Sequence, residues 1–178
     1  MKQDTHNILN HWRDAVPDDR MAHLIRDTER AFRRALQLRL AAHGVPFGHW
    51  AFLRILWEAD GLTQKELSQR AGVMEPTTFT AMKAMEVQGY ITRSQIPTNK
   101  KNMYVHLTDT GQALKKKLVP LAEETNRVSV DGLAPKDVAV ARKVLLAMLV
   151  NLAQDESTEP DQPRARAGHK ARAEKKTN

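Results

Sequence analysis

Residues 61–93 read GLTQKELSQRAGVMEPTTFTAMKAMEVQGYITR, and the local chemistry of this stretch decides the fold. Thr63-Gln64-Lys65-Glu66 sets a hydroxyl three residues ahead of a carboxylate. At that spacing each group satisfies a backbone N–H orphaned at a helix start. The helix it opens is short and closes at Ala71-Gly72. Pro76 then suits the first turn of a second helix, where its missing N–H costs nothing. Phe79, Met82, Ala84 and Met85 give that helix apolar character up to Gly89, while Met74 or Glu75 is a weak N-cap. From Tyr90 the period changes. Tyr90–Ser94 and Met103–Leu107 are short β-branched or aromatic runs separated by Ile96-Pro97-Thr98-Asn99-Lys100-Lys101-Asn102, which predicts a two-stranded hairpin with a basic tip. Such a hairpin is marginal alone and must lean on a helix.

A short helix, a tight turn at Gly72 and a second helix form the helix-turn-helix layout, in which the first helix braces the backbone and the second enters the major groove. Thr77, Thr78 and Thr80 lie at the entering end, with hydroxyls for phosphates or base edges and methyls for thymine. Lys83, one turn on, is placed for a phosphate, and Lys100 and Lys101 suit a wing laid along the backbone or into the minor groove. Taken singly these features are ordinary. Threonines at a helix start often only cap, and lysines at a hairpin tip usually face water. Their coincidence in this order carries the expectation.

Working outward, Asp18–Ala42 is a long helix with Leu24, Thr28, Ala31, Ala35, Leu38 and Ala42 along one seam. Ile25, Phe32, Leu36 and Leu40 widen its apolar surface enough to pack on its own domain and on a second chain. The arginines between them also fit a membrane-surface or calmodulin-target helix, a reading disfavoured by the longer globular pattern around it. His43-Gly44-Val45-Pro46 ends that helix, and PFGHWAFLRILWEAD forms the next, with Phe52, Ile55 and Leu56 on the buried face. Thr108 opens a helix through Leu114, Leu118, Leu121 and Val128, which Pro120 is expected to kink or restart. The last helix starts at Pro135 and carries Ala141, Val144, Leu145, Met148, Leu149 and Leu152 at clean helical spacing. After Gln154 the chain turns Pro-, Glu- and Arg/Lys-rich, so a disordered tail is expected over 155–178.

The chain has 178 residues and a formal charge of +7. Residues 155–178 hold six Lys/Arg against five acids, a net +1, which leaves +6 on the rest. The body is basic in its own right, which favours nucleic acid as a partner. Cysteine is absent, which excludes disulfides, thiolate zinc and cysteine redox sensing. No phosphate loop, HExxH or GxSxG occurs, so no enzyme is expected. His43 and His49 lack a third ligand at helical spacing, and neither metal nor cofactor is expected. No signal-peptide core or membrane-length apolar run is present, so the expected location is cytoplasmic, with no membrane partner.

The sequence resembles the MarR family of bacterial transcriptional regulators over roughly residues 20–153. The resemblance is densest in the stretch quoted first and in PTNKKNMYVHLTDTG. Leu62–Leu67 matches the family's "LTQ-x-EL", Pro76–Gly89 its Ser/Thr-rich recognition helix, and Val105–Gly111 its "V-x-LT-x-x-G". The family's wing usually reads Asp-Pro-x-Asp-Arg-Arg. Here Ile96-Pro97-Thr98-Asn99-Lys100-Lys101 replaces both acids and both arginines, which favours phosphate contact over minor-groove insertion. Thr80 stands where an arginine is often found, which removes the fork for a bidentate guanine contact.

The resemblance implies a mainly α fold with a winged helix-turn-helix and a two-stranded β-wing, flanked by N- and C-terminal dimerisation helices. The organisation it implies is an N-terminal arm (1–17), a winged-helix domain (18–154) and the tail (155–178). Within the domain, 45–108 is the DNA-binding lobe, while 18–44 and 108–154 are the dimerisation helices. It also implies a homodimeric repressor on a palindromic operator, with recognition helices about 34 Å apart. Release by a small phenolic or aromatic carboxylate ligand follows the branch controlling aromatic-compound catabolism. The DNA-contact candidates are Thr63, Gln64, Pro76, Thr77, Thr78, Thr80, Lys83, Arg93, Lys100 and Lys101. The ligand candidates on the first two helices are Arg26, Arg30, His43, His49, Trp50 and Arg54, where Arg would hold a carboxylate and Trp or His would stack on a ring. The rival function is a ligand-independent architectural DNA binder.

Overall fold

The computed structural model of the chain describes residues 3–13, 21–96 and 99–158, and the chain divides into two units, up to Asp131 and from Gly132. The first unit is organised by α3 (Phe47–Glu58), which buries His49, Trp50, Phe52, Leu53, Ile55 and Leu56. Apolar residues nearly all round a helix require cover on every side. That cover comes from α2 (Met21–Ala41), α4 (Gln64–Ala71), α5 (Glu75–Val87), a small sheet and α6 (Asp109–Ser129). Leu40, Leu67, Met82, Met85, Ile91, Val105 and Leu118 close the core around it.

The expected hairpin is present as β2 (Ile91–Ile96) and β3 (Asn99–Leu107), antiparallel, with Ile91 opposite Leu107 and an irregularity between Ser94 and Ile96. A two-residue strand, β1 (Leu62–Thr63), adds to the other edge of β3, so the sheet order is β1-β3-β2. Leu62 pairs with Val105 and Thr63 with Tyr104. Two residues carry no readable period, which is why the sequence showed only the helix cap there. Arg93 on β2 ties the hairpin to α5: its Nε donates to Glu86 Oε2 at 2.9 Å, and Nη2 donates to the same oxygen.

Thr108 caps α6 by accepting from the Gly111 N–H at 3.0 Å, while its own hydroxyl donates to the Gly89 carbonyl at 2.6 Å. Gly111 lies so close to the start of β2 that a Cβ there would run into the Tyr90 carbonyl oxygen. Its own carbonyl accepts from Trp57 Nε1 at 3.0 Å. Helix α6 runs unbroken through Pro120, so the expected restart does not occur.

Two expectations at the chain ends change. Residues Gln3–Arg13, read as part of an arm, form helix α1. Trp12 Nε1 donates to Asp27 Oδ2 at 3.2 Å, a tertiary contact that local periodicity cannot show. Burial alone would raise the Asp27 carboxyl, but the Trp12 hydrogen bond and the charges of Arg26 and Arg30 hold it below its ordinary value. In the second unit α7 spans Pro135–Thr158, four residues beyond the expected end at Gln154. The rest of the expected tail, the end of the expected arm (14–17) and residues 18–20 at the expected start of the long α2 helix lie outside the described residues. Among the described side chains of α7 none is buried, and Val144, Leu145, Leu149 and Leu152 stand exposed along one stripe.

Two stability outcomes follow. Thr63→Ala is expected to lower the unfolding free energy by about 1 kcal/mol through the lost cap, and Met82→Ala by roughly 2–5 kcal/mol through the cavity it leaves. Urea unfolding measures both, and a Thr63→Ala midpoint equal to wild type would remove the cap from this account. Glu86, held below its usual 4.5 by the Arg93 hydrogen bonds, gives stability that is complete above pH 4.5. That stability is lost as the pH falls through the depressed folded value. Glu86→Gln should therefore flatten the acid limb of a stability–pH profile below 4.5, and an unchanged limb would contradict the pairing.

Candidate nucleic-acid interface

Helix α4 begins at a complete capping box. Thr63 Oγ1 accepts from the Glu66 N–H at 3.2 Å, and the Thr63 N–H donates to Glu66 Oε2 at 2.8 Å. The Thr63 hydroxyl also donates to the same carboxylate at 2.7 Å, and these bonds hold the Glu66 carboxyl below its usual value. The helix stops at Gly72, whose φ of 64° is left-handed and favours glycine. The buried Ser68 hydroxyl donates to the Val73 carbonyl at 2.6 Å, and the Val73 N–H donates back to the Ser68 carbonyl. The turn between the helices is thus closed by its own backbone and one hydroxyl.

Helix α5 starts one residue ahead of Pro76, with Met74 as an N-cap that makes no side-chain bond. Pro76, Thr77, Thr80 and Lys83 are exposed, and the Thr80 hydroxyl donates to the Pro76 carbonyl at 3.0 Å. Thr78 is different. It is 0% exposed, and its hydroxyl donates to the Met74 carbonyl at 3.4 Å. Thr78, Met82 and Met85 fall at i, i+4 and i+7 and form the buried face of α5, so Thr78 has no surface to offer DNA.

The neighbouring candidates also find protein partners. Thr63 is buried and engaged in the capping box, so its role at the surface is to hold the α4 start. Gln64, the first residue of α4, is half-buried. Arg93 is committed to Glu86 and lies with its guanidinium carbon 6.0 Å from the centre of the Phe79 ring. Lys100 and Lys101 fall on β3, but their side chains lie outside the described residues. Sequence reading placed Phe79 among the apolar positions of the helix, yet it is 46% exposed beside Thr80 and Lys83.

The ligand candidates separate. Trp50 and Arg54 of α3 line a cavity of about 240 Å³, shared with Glu29, Arg33 and Phe32 of α2 and Asn126 of α6. Arg33 donates to Glu29 at 2.8 Å and lies 5.8 Å from the centre of the Phe47 ring. Arg26 and Arg30 instead flank Asp27, at 3.4 and 3.7 Å. His43 is exposed in the turn after α2. His49 is buried, its Nδ1 has no hydrogen-bond partner, and burial pushes its pKa below 6.5 despite a hydrogen bond to Gln88. Trp50 and Arg54 are the two of the six candidates that line this cavity. The contribution of α6 was invisible in the sequence because it depends on long-range packing. Among the described residues no group of three or more His, Asp or Glu is placed to hold a metal, and no helix is long and apolar enough to cross a membrane.

Residues 48–103 match the model of the MarR family. The chain is 29% identical over 101 residues to the HTH-type transcriptional regulator TtmR of Methylorubrum extorquens, covering 57% of this chain and 52% of that protein, about half its length. It is 28% identical over 85 residues to the homoprotocatechuate degradative operon repressor of Escherichia coli, covering 48% of this chain and 57% of the repressor. Among solved structures, a putative MarR family regulator of Listeria monocytogenes complexed with a 26mer DNA shares the fold. Its TM-score is 0.67 at 21% identity, with coverage of 82% of this chain and 99% of that one. Residues 48–103, which carry the exposed second helix and most of the hairpin, are thus similar to the MarR family, and the relatives with which the chain aligns are transcriptional regulators.

Proposed function

We propose that this regulator is a homodimeric repressor that reads a palindromic operator with α5 and leaves it when a small aromatic acid or phenol binds. The observation that carries the reading is the presentation of α5. Its inner face is locked by Thr78, Met82 and Met85, while Pro76, Thr77, Thr80 and Lys83 face outward beside a basic hairpin. A helix fixed along one side and exposed along the other is what major-groove entry requires.

Dimerisation is supported by apolar surface that a single chain leaves uncovered. The stripe along α7 is one such face. In the first unit, Ala31, Phe32, Ala35 and Leu38 of α2 line an open cavity of about 540 Å³ with Val128 of α6. Contiguous exposed apolar faces of this kind mark association surfaces, and a twofold pair would set two α5 helices against two half-sites.

The effector reading rests on the smaller cavity. It brings the ring of Trp50 and the guanidinium of Arg54 to one lining, a combination suited to a flat acid, while Arg33 in the same wall is paired with Glu29. The E. coli relative's name refers to degradation of homoprotocatechuate, which is consistent with that chemistry. The cavity is walled by α2, α3 and α6, so a ligand that fits only one arrangement of these helices would bias the lobe carrying α5.

Mobility shifts with the promoter fragment beside its own gene are expected to give discrete footprints with dyad symmetry. Length-dependent coating would instead favour an architectural protein. Lys83→Ala should reduce the slope of log affinity against log salt by about 1, the loss of one phosphate contact. Leu145→Glu with Leu149→Glu should turn a dimer into a monomer in light scattering and weaken the footprint; a variant that stays dimeric would refute this use of α7. Thermal shifts against aromatic carboxylic acids should find a ligand that raises the melting temperature of the wild type but not of Arg54→Ala. An equal rise in both proteins would place the ligand elsewhere.

A further inference from the structure

We propose that Phe79 is a specificity residue whose ring receives the 5-methyl group of a thymine in the major groove. The inference rests on the sequence-specific reading of α5 given above and adds to it a residue and a base. The buried face of α5 is filled by Thr78, Met82 and Met85, and Phe79 lies about 100° around the helix from Thr78. That turn leaves the ring 46% exposed, on the flank facing β2, in the first half of the helix that enters the groove.

The ring is held in position. Lys83 Nζ lies 4.6 Å from its centre and the Arg93 guanidinium carbon 6.0 Å, each a cation near an aromatic face. Arg93 is itself fixed by two hydrogen bonds to Glu86, so the support extends back into α5. An aromatic side chain clamped in this way has already lost much of its rotamer freedom, which lowers the cost of using it in a contact. Lys83 also sets a positive charge beside the apolar spot, a pattern that suits a methyl group near a phosphate.

The chemistry of the rest of α5 points to the same base. Glu75–Val87 contains no arginine, asparagine or glutamine, the side chains that read guanine and adenine with two hydrogen bonds. Lys83 is a point charge over the Phe79 ring, and the Thr80 hydroxyl is already donated to Pro76. Glu75 and the Thr77 hydroxyl are the other exposed polar groups at the helix start, Glu75 suited to a cytosine amino group and the hydroxyl to a single, less selective bond. Apolar contact with thymine is therefore the direct readout that α5 is best equipped to make, and Phe79 is the largest apolar group at its entering end.

The experiment uses the full chain and duplexes that it enriches from a random-sequence pool. Each thymine of the enriched site is replaced singly by deoxyuridine, which deletes only the 5-methyl group, and affinities are read by fluorescence anisotropy at one salt concentration. At one thymine per half-site the wild type should lose about fourfold in affinity, the worth of burying one methyl-sized group. For Phe79→Ala the same replacement should cost nothing measurable, and its affinity for the thymine site should fall at least as far. A melting curve reports the fold of the variant, and Phe79→Leu, which keeps an apolar side chain without the ring, serves if the alanine variant melts early. A deoxyuridine penalty absent from the wild type, or one of full size in the variant, overturns the assignment of Phe79 alone. A pool that yields no enriched sequence overturns sequence-specific binding itself, and Phe79's role with it.

Discussion

Helix α3 can expose only a narrow line of residues, Gly48, Arg54 and Glu58, and the rest of the first unit is arranged to cover what remains. At roughly 25 cal/mol for each Å² of apolar surface, leaving Trp50, Phe52, Leu53, Ile55 and Leu56 wet would cost about 10 kcal/mol, as much as a typical domain's whole stability. Leu36 and Leu40 of α2, Leu67 of α4, Met82 and Met85 of α5 and Leu118 of α6 all belong to the same cluster. Helix α5 and the helices that wall the smaller cavity thus share one core. A shift of α3 cannot be absorbed locally, because close-packed interiors transmit displacement rather than damp it.

Features encoded within a few residues were legible in the sequence. The Thr63–Glu66 cap, the stop at Gly72 and the switch to strand period after Tyr90 each rest on local hydrogen bonding or backbone preference, and each is found in place. Features that depend on distant partners were not. The α1 helix needs Asp27 to receive Trp12, and β1 exists only because Leu62 and Thr63 meet Val105 and Tyr104.

The candidate site divides along the same line. Pro76, Thr77, Thr80 and Lys83 are exposed as their polarity suggested, but Thr78 is small enough to be taken inside. The signal for that burial was available in its spacing from Met82 and Met85, and polarity alone obscured it. Arg93 illustrates the converse error. An arginine near a DNA-binding hairpin is easily assigned to phosphate, whereas Glu86, seven residues earlier, claims it from another element. On the ligand side, Arg26 and Arg30 share the helix that walls the cavity, yet the buried carboxylate of Asp27 draws them to a different spot.

Thr63 serves two elements at once, since its backbone pairs with Tyr104 in the sheet and its side chain caps α4. Helix α4 and the hairpin are therefore joined without a hinge, and the Arg93–Glu86 pair forms a second strut from the hairpin to α5. Two helices and a hairpin linked in this way behave as a single lever with few internal degrees of freedom. Its tip is displaced in proportion to its length, so a rotation of a few degrees at α3 carries the hairpin through a far larger arc than any atom in the core.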